Sequence, residues 1–350
     1  MPRSALLVAA ACLAFTACSF GLADHGPAPS SDAEAVPPPT STVIEYLGDA
    51  AVLRDGFVLP ADRVLAGQPL DVCVQSYPTG SATRAFARWT RNAEPREFAL
   101  AIAAEDAGPF GHNTLWCGQL AAADLTDSLA LQLVAEDASG AVRTVDLAVT
   151  ASTDIALFAD PAHLATWRMA GPGAFTLDGN NAIVAQPRQD LGLYWAAIPT
   201  PADFDLSLDW QLSRTDDNSG VFLRFRDPDS FGYDNPAWVG VHDGLEIQID
   251  DTARPDGADV HRTGALYEQP GTYVRPSDSL PGTWRHFEIA VRGARVTVTL
   301  DGALVSDTTF SGDPQYPDRA RPSAPGAPRF IGLQTHTGAV MFRNVRLCLP

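Results

Sequence analysis

Lysine is absent from this chain: all 24 basic side chains among its 350 residues are arginine. That excludes Schiff-base chemistry and the lysine of a phosphate-binding P-loop. Positive charge is scarce overall. The formal net charge is −18, and so acidic a surface repels phosphate backbones, so nucleic acid is not an expected partner. Beyond the first residues, no apolar run reaches the ~18 residues of a transmembrane helix. The seven histidines are scattered, unlike the clustered ligands of a zinc hydrolase. Gly-x-Ser-x-Gly, His-Glu-x-x-His, Cys-x-x-Cys and a post-strand Gly-x-Gly-x-x-Gly are all missing. A helical period shows only in "DPAHLATWRM", so any helix is expected to be short.

The chain opens "MPRSALLVAAACLAFTACSF", with Arg3 before an apolar core from Ala5 to Phe15. That core is too short for a stable membrane span. It ends in Phe15-Thr16-Ala17-Cys18, which resembles a bacterial lipobox with Phe15 where leucine is usual. The expectation is a signal peptide over residues 1–17 and an acylated Cys18. Such a lipoprotein is exported and anchored to a membrane, in the periplasm or at the outer membrane. An ordinary signal peptide cut near Ala17 or Ala23 is the alternative. Acyl chains contribute ~0.8 kcal/mol per buried CH₂, so several hold firmly. Residues 18–42, rich in Pro, Ser and Ala, read as a disordered tether. Export permits disulfides. Cys73 and Cys117 share one β-rich stretch and are expected to pair, leaving Cys348 as a free thiol.

What is abundant is alternation between turn residues, with Gly and Pro at 28 each. This points to an all-β protein of about two domains. Residues 43–150 carry short strand-like pieces, such as "LDVCVQSYP" and "RAFARWTR". With Trp89 between the two cysteines, they suggest an immunoglobulin-like β-sandwich whose disulfide bridges the sheets. His112 and Trp116 there are candidate ligand contacts, although loop and core roles are the plainer reading. Residues 155–350 carry longer alternating strands, including "FDLSLDWQL", "SGVFLRFRD", "GLEIQID" and "FIGLQTH". They predict an antiparallel sandwich. Gly293-Ala294, within "FEIAVRGARVTVTLDG", marks a tight hairpin.

In "GLEIQIDD", Leu245, Ile247 and Ile249 alternate with Glu246, Gln248 and Asp250. Similar alternation in the neighbouring segments places Arg224, Arg226, Gln334 and His336 on the same polar face. Trp195, Tyr233, Trp238 and Tyr267 are candidate stacking surfaces. Carboxylates, amides, guanidinium groups and aromatic rings on one concave face suit a polyhydroxylated ligand such as an oligosaccharide.

The segments "TWRMAGPGAF", "DFDLSLDWQLSRTDDNSGVFLRFRDP", "GLEIQIDD", "RTGALYEQ", "LPGTWRHFEIAVRGARVTVTLDG" and "IGLQTHTGAVMFRNVRL" together resemble the 3-keto-disaccharide hydrolase family across residues 155–348. The resemblance implies a concanavalin A-like jelly roll binding its ligand on the concave sheet. It implies action on a sugar oxidised at C3. A C3 ketone acidifies the C2 proton, and the glycosidic oxygen at C1 is β to the forming carbanion. Proton removal, elimination and hydration then cleave the bond, using a base, an acid and an enolate stabiliser. Laminarinase-type enzymes use a carboxylate pair on one strand. Here Glu246 and Asp250 stand ~13 Å apart at Cα, so double displacement is not expected.

On that reading His336 is the candidate base, or a turn hydrogen-bonder. Glu246 is the acid, a metal ligand or a sugar hydrogen-bonder. Asp250 is a further catalytic candidate, and with Asp251 it opens an acidic loop that is a candidate Ca²⁺ site, although a solvated loop is the plainer reading. Arg224 is an enolate stabiliser, or an ion-pair partner of Glu246. Arg226, Gln248, Gln334, Trp195, Tyr267 and Asn218 are the remaining candidate sugar contacts, with Asn218 also suited to shaping a turn. The expected activity is glycosidase-like cleavage of 3-keto-glycosides. A non-catalytic carbohydrate-binding envelope lipoprotein is the alternative, and a structural or adhesive role a third.

Overall fold

A computed structural model describes residues 43–48, 64–105, 113–324 and 327–350. The signal peptide, Cys18, the tether and His112 lie outside the described residues. The described fold is all-β, with two hydrophobic cores.

The first core belongs to β1 (Val43–Gly48), β3 (Leu70–Tyr77), β4 (Arg84–Arg91), β5 (Glu94–Glu105), β6 (Thr114–Leu120), β7 (Leu129–Glu136) and β8 (Val142–Val149). These form one seven-stranded sheet in the order β1-β3-β6-β5-β4-β7-β8. β5 is shared, pairing with β4 through its first half and with β6 through its second. β8 returns alongside β1, so the sheet curls back on itself around Val72, Val74, Ala87, Leu131 and Leu133. Among the described residues these strands link into one path through β5, and the expected immunoglobulin-like pair of sheets is not shown. The Cys73–Cys117 disulfide forms, but not between sheets: the two residues are direct partners on adjacent β3 and β6. Trp89 is buried on β4, edge-on to Phe98. A short parallel ladder joins β2 (Val64–Leu65) to β9 (Ala151–Ser152).

The second core lies between two antiparallel sheets. The larger has β12 (Ala174–Leu177), β13 (Ile183–Gln186), β23 (Met341–Cys348), β15 (Phe204–Gln211), β19 (Arg285–Arg292), β20 (Arg295–Leu300), β21 (Ala303–Thr309) and β18 (Thr272–Tyr273) in order, with β10 (Asp154–Phe158) also on β23. The smaller runs β11 (Trp167–Ala170), β14 (Gly192–Ala196), β22 (Phe330–Thr335), β16 (Ser219–Phe225), β17 (Leu245–Ile249). β15 shows how the sequence builds this core. Phe204, Leu206, Leu208 and Trp210 all turn inward and are at most 1% exposed, as a period of two requires. The β19–β20 hairpin turns at Gly293-Ala294, with Arg292 paired to Arg295 and Gly293 at φ +55°. Glycine adopts that left-handed conformation without steric cost. The segment with helical period becomes a short 3₁₀ helix, Pro161–Thr166, capped by Asp160. Among the described residues, no helix is long and apolar enough to cross a membrane.

Candidate active-site cleft

Glu246 and Gln248 alternate with Leu245, Ile247 and Ile249 on β17, yet their face is not wet. Glu246 is 7% exposed and Gln248 2%. Two loop segments cover this face. One contains the single helical turn α1 (Val239–His242), which packs on Phe222 through Gly240. The other runs beside β17 as an additional edge. Gln248 N donates to Ala265 O, Gly264 N to Gln248 O and Tyr267 N to Glu246 O, at 2.9–3.0 Å. The polar alternation thus marks a buried polar site rather than a solvent face.

Gln334 Nε2 donates to Glu246 Oε1 at 2.8 Å. With its amide oriented to suit its surroundings, Gln248 donates to the same oxygen at 3.1 Å and to Ser219 O at 3.0 Å. Space for the carboxyl comes from Gly220 on β16, where any Cβ would lie 2.2 Å from Glu246 Oε1. Burial pushes the Glu246 pKa up to about 8, against the Gln334 bond and Arg319, and with Glu268 adding to the rise. Glu246 is therefore protonated at neutral pH and holds a transferable proton.

A cleft of about 360 Å³ opens at this carboxyl, lined also by His242, Tyr267, Glu268, Tyr316 and the Asp313–Arg319 ion pair. The His242 ring stacks on Tyr316 at 4.8 Å and on Trp238 at 5.4 Å, with Tyr233 edge-on at 5.5 Å. Burial, then Arg319, holds the His242 pKa below the usual histidine range. Arg319 is fixed by Gly244 O at 3.0 Å and Asp313 at 2.8 Å. Tyr267 lies against His261, and burial followed by Glu268 and Glu246 raises its pKa. An apolar ring wall and a carboxyl–amide wall thus share one opening.

Other expected site residues sit elsewhere. Arg224 adopts φ +56° in a β-bulge between Phe222 and Phe225. The bulge reverses the alternation, so Phe225 takes the Glu246 face and Arg224 turns away. Its guanidinium bonds Gly293 O and Ala202 O over the Phe204 ring, so it neither pairs with Glu246 nor meets the cleft. Arg226 lies past the strand end, fork-bonded to Asp243 at 3.1 and 2.8 Å. Trp195 is 4% exposed against Phe330 and Phe225, a core residue rather than a sugar platform. Asn218 is buried in a backbone bridge to Thr337. His336 stands exposed beyond the end of β22 and does not line the cleft.

The acidic pair is structural. Asp250 is fully buried and accepts from Thr252 N, Thr252 Oγ1, Arg254 N and Arg254 Nε, which fixes the turn after β17. The Asp251 carboxylate accepts from Thr263 Oγ1 and Ser279 N. Protein donors occupy these oxygens, so the pair does not suit the expected Ca²⁺ site or, for Asp250, catalysis. Among the described residues, no three His, Cys, Asp or Glu side chains are grouped to hold a metal ion.

The cleft residues not anticipated from the sequence are His242, Glu268, Tyr316 and Arg319. They lie in loops and in the single turn α1, where no strand periodicity marks them. Only Glu268 carried a signal, as the residue after Tyr267 in "RTGALYEQ".

Comparison with known proteins agrees with the sequence resemblance. The solved structures similar to this chain include two presumed glycosyl hydrolases from Parabacteroides distasonis ATCC 8503. One is 17% identical, with a TM-score of 0.44, over 56% of this chain and 93% of its own. The other is 22% identical, with a TM-score of 0.42, over 56% and 99%. A Bacillus subtilis protein of unknown function with a galectin-like fold is 12% identical, with a TM-score of 0.41, over 55% and 92%. No curated protein matches the chain. The family model described as the 3-keto-alpha-glucoside-1,2-lyase-like domain matches residues 153–348. That is more than half of the sequence and contains every residue of the cleft, so the chain belongs to this family.

Proposed function

We propose that the protein cleaves the glycosidic bond of 3-keto-glycosides, with Glu246 donating the proton that the departing oxygen needs. The observation that carries this reading is the buried carboxyl itself, hydrogen-bonded by Gln334 and held protonated beside a cleft. A carboxylic acid kept neutral at pH 7 is the group such a step requires. The aromatic wall suits the apolar face of a sugar ring, and Gln248 and Gln334 keep the acid in one position. The C3 ketone makes the C2 hydrogen acidic, so elimination followed by water addition gives net hydrolysis. The lipobox-like segment ending in Cys18 supports an exported, membrane-anchored protein of the envelope, and the Cys73–Cys117 disulfide suits an oxidising compartment.

The test is aglycone release from a 3-keto-α-glucoside beside its unoxidised parent. Release from the oxidised glycoside alone is expected. Glycan binding with no release from either would favour the non-catalytic carbohydrate-binding reading and refute this one.

A further inference from the structure

We propose that Glu268 is the catalytic base of this cleft, the carboxylate that takes the C2 proton while Glu246 serves the leaving oxygen. The inference rests on reading the cleft as a 3-keto-glycoside site. It replaces His336, which the structure leaves outside.

Three observations place Glu268 in this role. It lines the same opening as Glu246, on a different segment. That segment is fixed on both sides: Tyr267 N is bonded to Glu246 O, and Glu268 N closes the loop on Val260 O at 3.1 Å. Two acidic groups thus face one cavity, one from β17 and one from the loop bonded beside it. Second, the Glu268 carboxylate has no hydrogen-bond or ion-pair partner among the described residues. By contrast Glu246 is held by two amides, and Asp313 is committed to Arg319. Glu268 is the cleft carboxylate free to accept a proton. Third, Glu268 has φ +59°. A side chain in that left-handed conformation is sterically costly. Glycine would relieve the cost, so a carboxylate held there at the mouth of a cavity is strain at a working position. The proximity of Glu268 also contributes to keeping Glu246 protonated, which sets the two apart as base and acid.

The step balances within these two groups and water. The Glu268 carboxylate removes the C2 proton, and the C–H electron pair forms the enolate at C3. As the enolate collapses, the C1–O bond breaks and the Glu246 proton goes to the departing oxygen, giving an alcohol and a 1,2-unsaturated 3-ketone. Water then adds at C1 as ionised Glu246 takes its proton, and protonated Glu268 returns a proton to C2. Arg319 lines the same cleft, where its charge favours the enolate.

The test uses methyl and 4-nitrophenyl 3-keto-α-glucosides with the full chain. Nitrophenol leaves without needing a proton, whereas methanol needs one. Glu268→Gln is expected to lose C2 hydrogen–deuterium exchange in D₂O, and release of both alcohols, by about 10²–10⁴-fold. Glu246→Gln is expected to slow methanol release far more than nitrophenol release. Glu268→Gly guards against misfolding, because glycine suits φ +59° and the variant is expected to melt at or above the wild-type temperature and to be equally inactive. Wild-type protein inert on both glycosides would refute the proposed function and the base with it. An active wild type whose Glu268→Gln or Glu268→Gly protein still exchanges C2 at near wild-type rate would overturn the base alone.

Discussion

Replacing Glu246 by glutamine is expected to stabilise the protein at neutral and alkaline pH, and by an amount that grows with pH. The Glu246 pKa is raised from 4.5 to about 8 by burial. Between those values the folded chain binds a proton that the unfolded chain does not, so stability falls as pH rises. The favourable contribution of the neutral acid is complete below about 4.5 and is lost through about 8. At ~1.4 kcal/mol per pH unit, the full loss is about 5 kcal/mol, with about 3 already lost at pH 7. Glutamine has the same shape and does not ionise. It retains a partner, because Gln334 Oε1 is buried and unpaired and can accept from the new amide. The assay is urea unfolding from pH 5 to 9 followed by tryptophan fluorescence, since five of the seven tryptophans lie within residues 155–350. The two proteins should be close at pH 5 and diverge above it, with the variant the more stable. Parallel curves, or a variant less stable than wild type at pH 8, would refute the raised pKa. Wild-type turnover should fall on the alkaline side as pH passes about 8, where Glu246 loses its proton.

Gly220→Ala places a methyl 2.2 Å from Glu246 Oε1. Turnover should fall at least ~10-fold for a stability cost of ~1–3 kcal/mol, as kinetics and thermal melts would show; undiminished turnover would mean Glu246 does not act from this position. Trp195→Ala should cost ~3–5 kcal/mol in urea unfolding and leave the KM of the folded fraction unchanged, because the ring packs on Phe330 and Phe225 rather than on ligand. Asp250→Asn removes a buried carboxylate that pairs with Arg254 at 2.9 Å. A loss of ~2–4 kcal/mol is expected, whereas adding calcium or EDTA to the wild type should not move its melting temperature. A calcium-dependent rise would restore the metal reading.

Much of the second domain was legible because its strands alternate strictly. Phe204, Leu206 and Leu208 on β15, and Phe287, Ile289 and Val291 on β19, are all at most 1% exposed, as their spacing requires. The hairpin at Gly293 and the Cys73–Cys117 pair were equally readable. The site was legible where it lies on strands: Glu246, Gln248 and Gln334 do meet. Arg224 was misread because a single residue at φ +56° reverses the count of faces, and no periodicity records a bulge. The inter-sheet position of the disulfide was misread because strand spacing does not say whether two cysteines face each other between sheets or along one.

The sequence by itself determined the alternating strands, the family, and the set of acid and amide side chains that share a face on β17 and β22. Those follow from the two-residue period of a strand, which is a local property. Tertiary structure alone decided that this polar face is buried, that Glu246 therefore keeps its proton, and that His242, Glu268, Tyr316 and Arg319 gather around it. These residues come from separate loops, and only the packing of those loops over the sheet removes water from the carboxyl and brings them together.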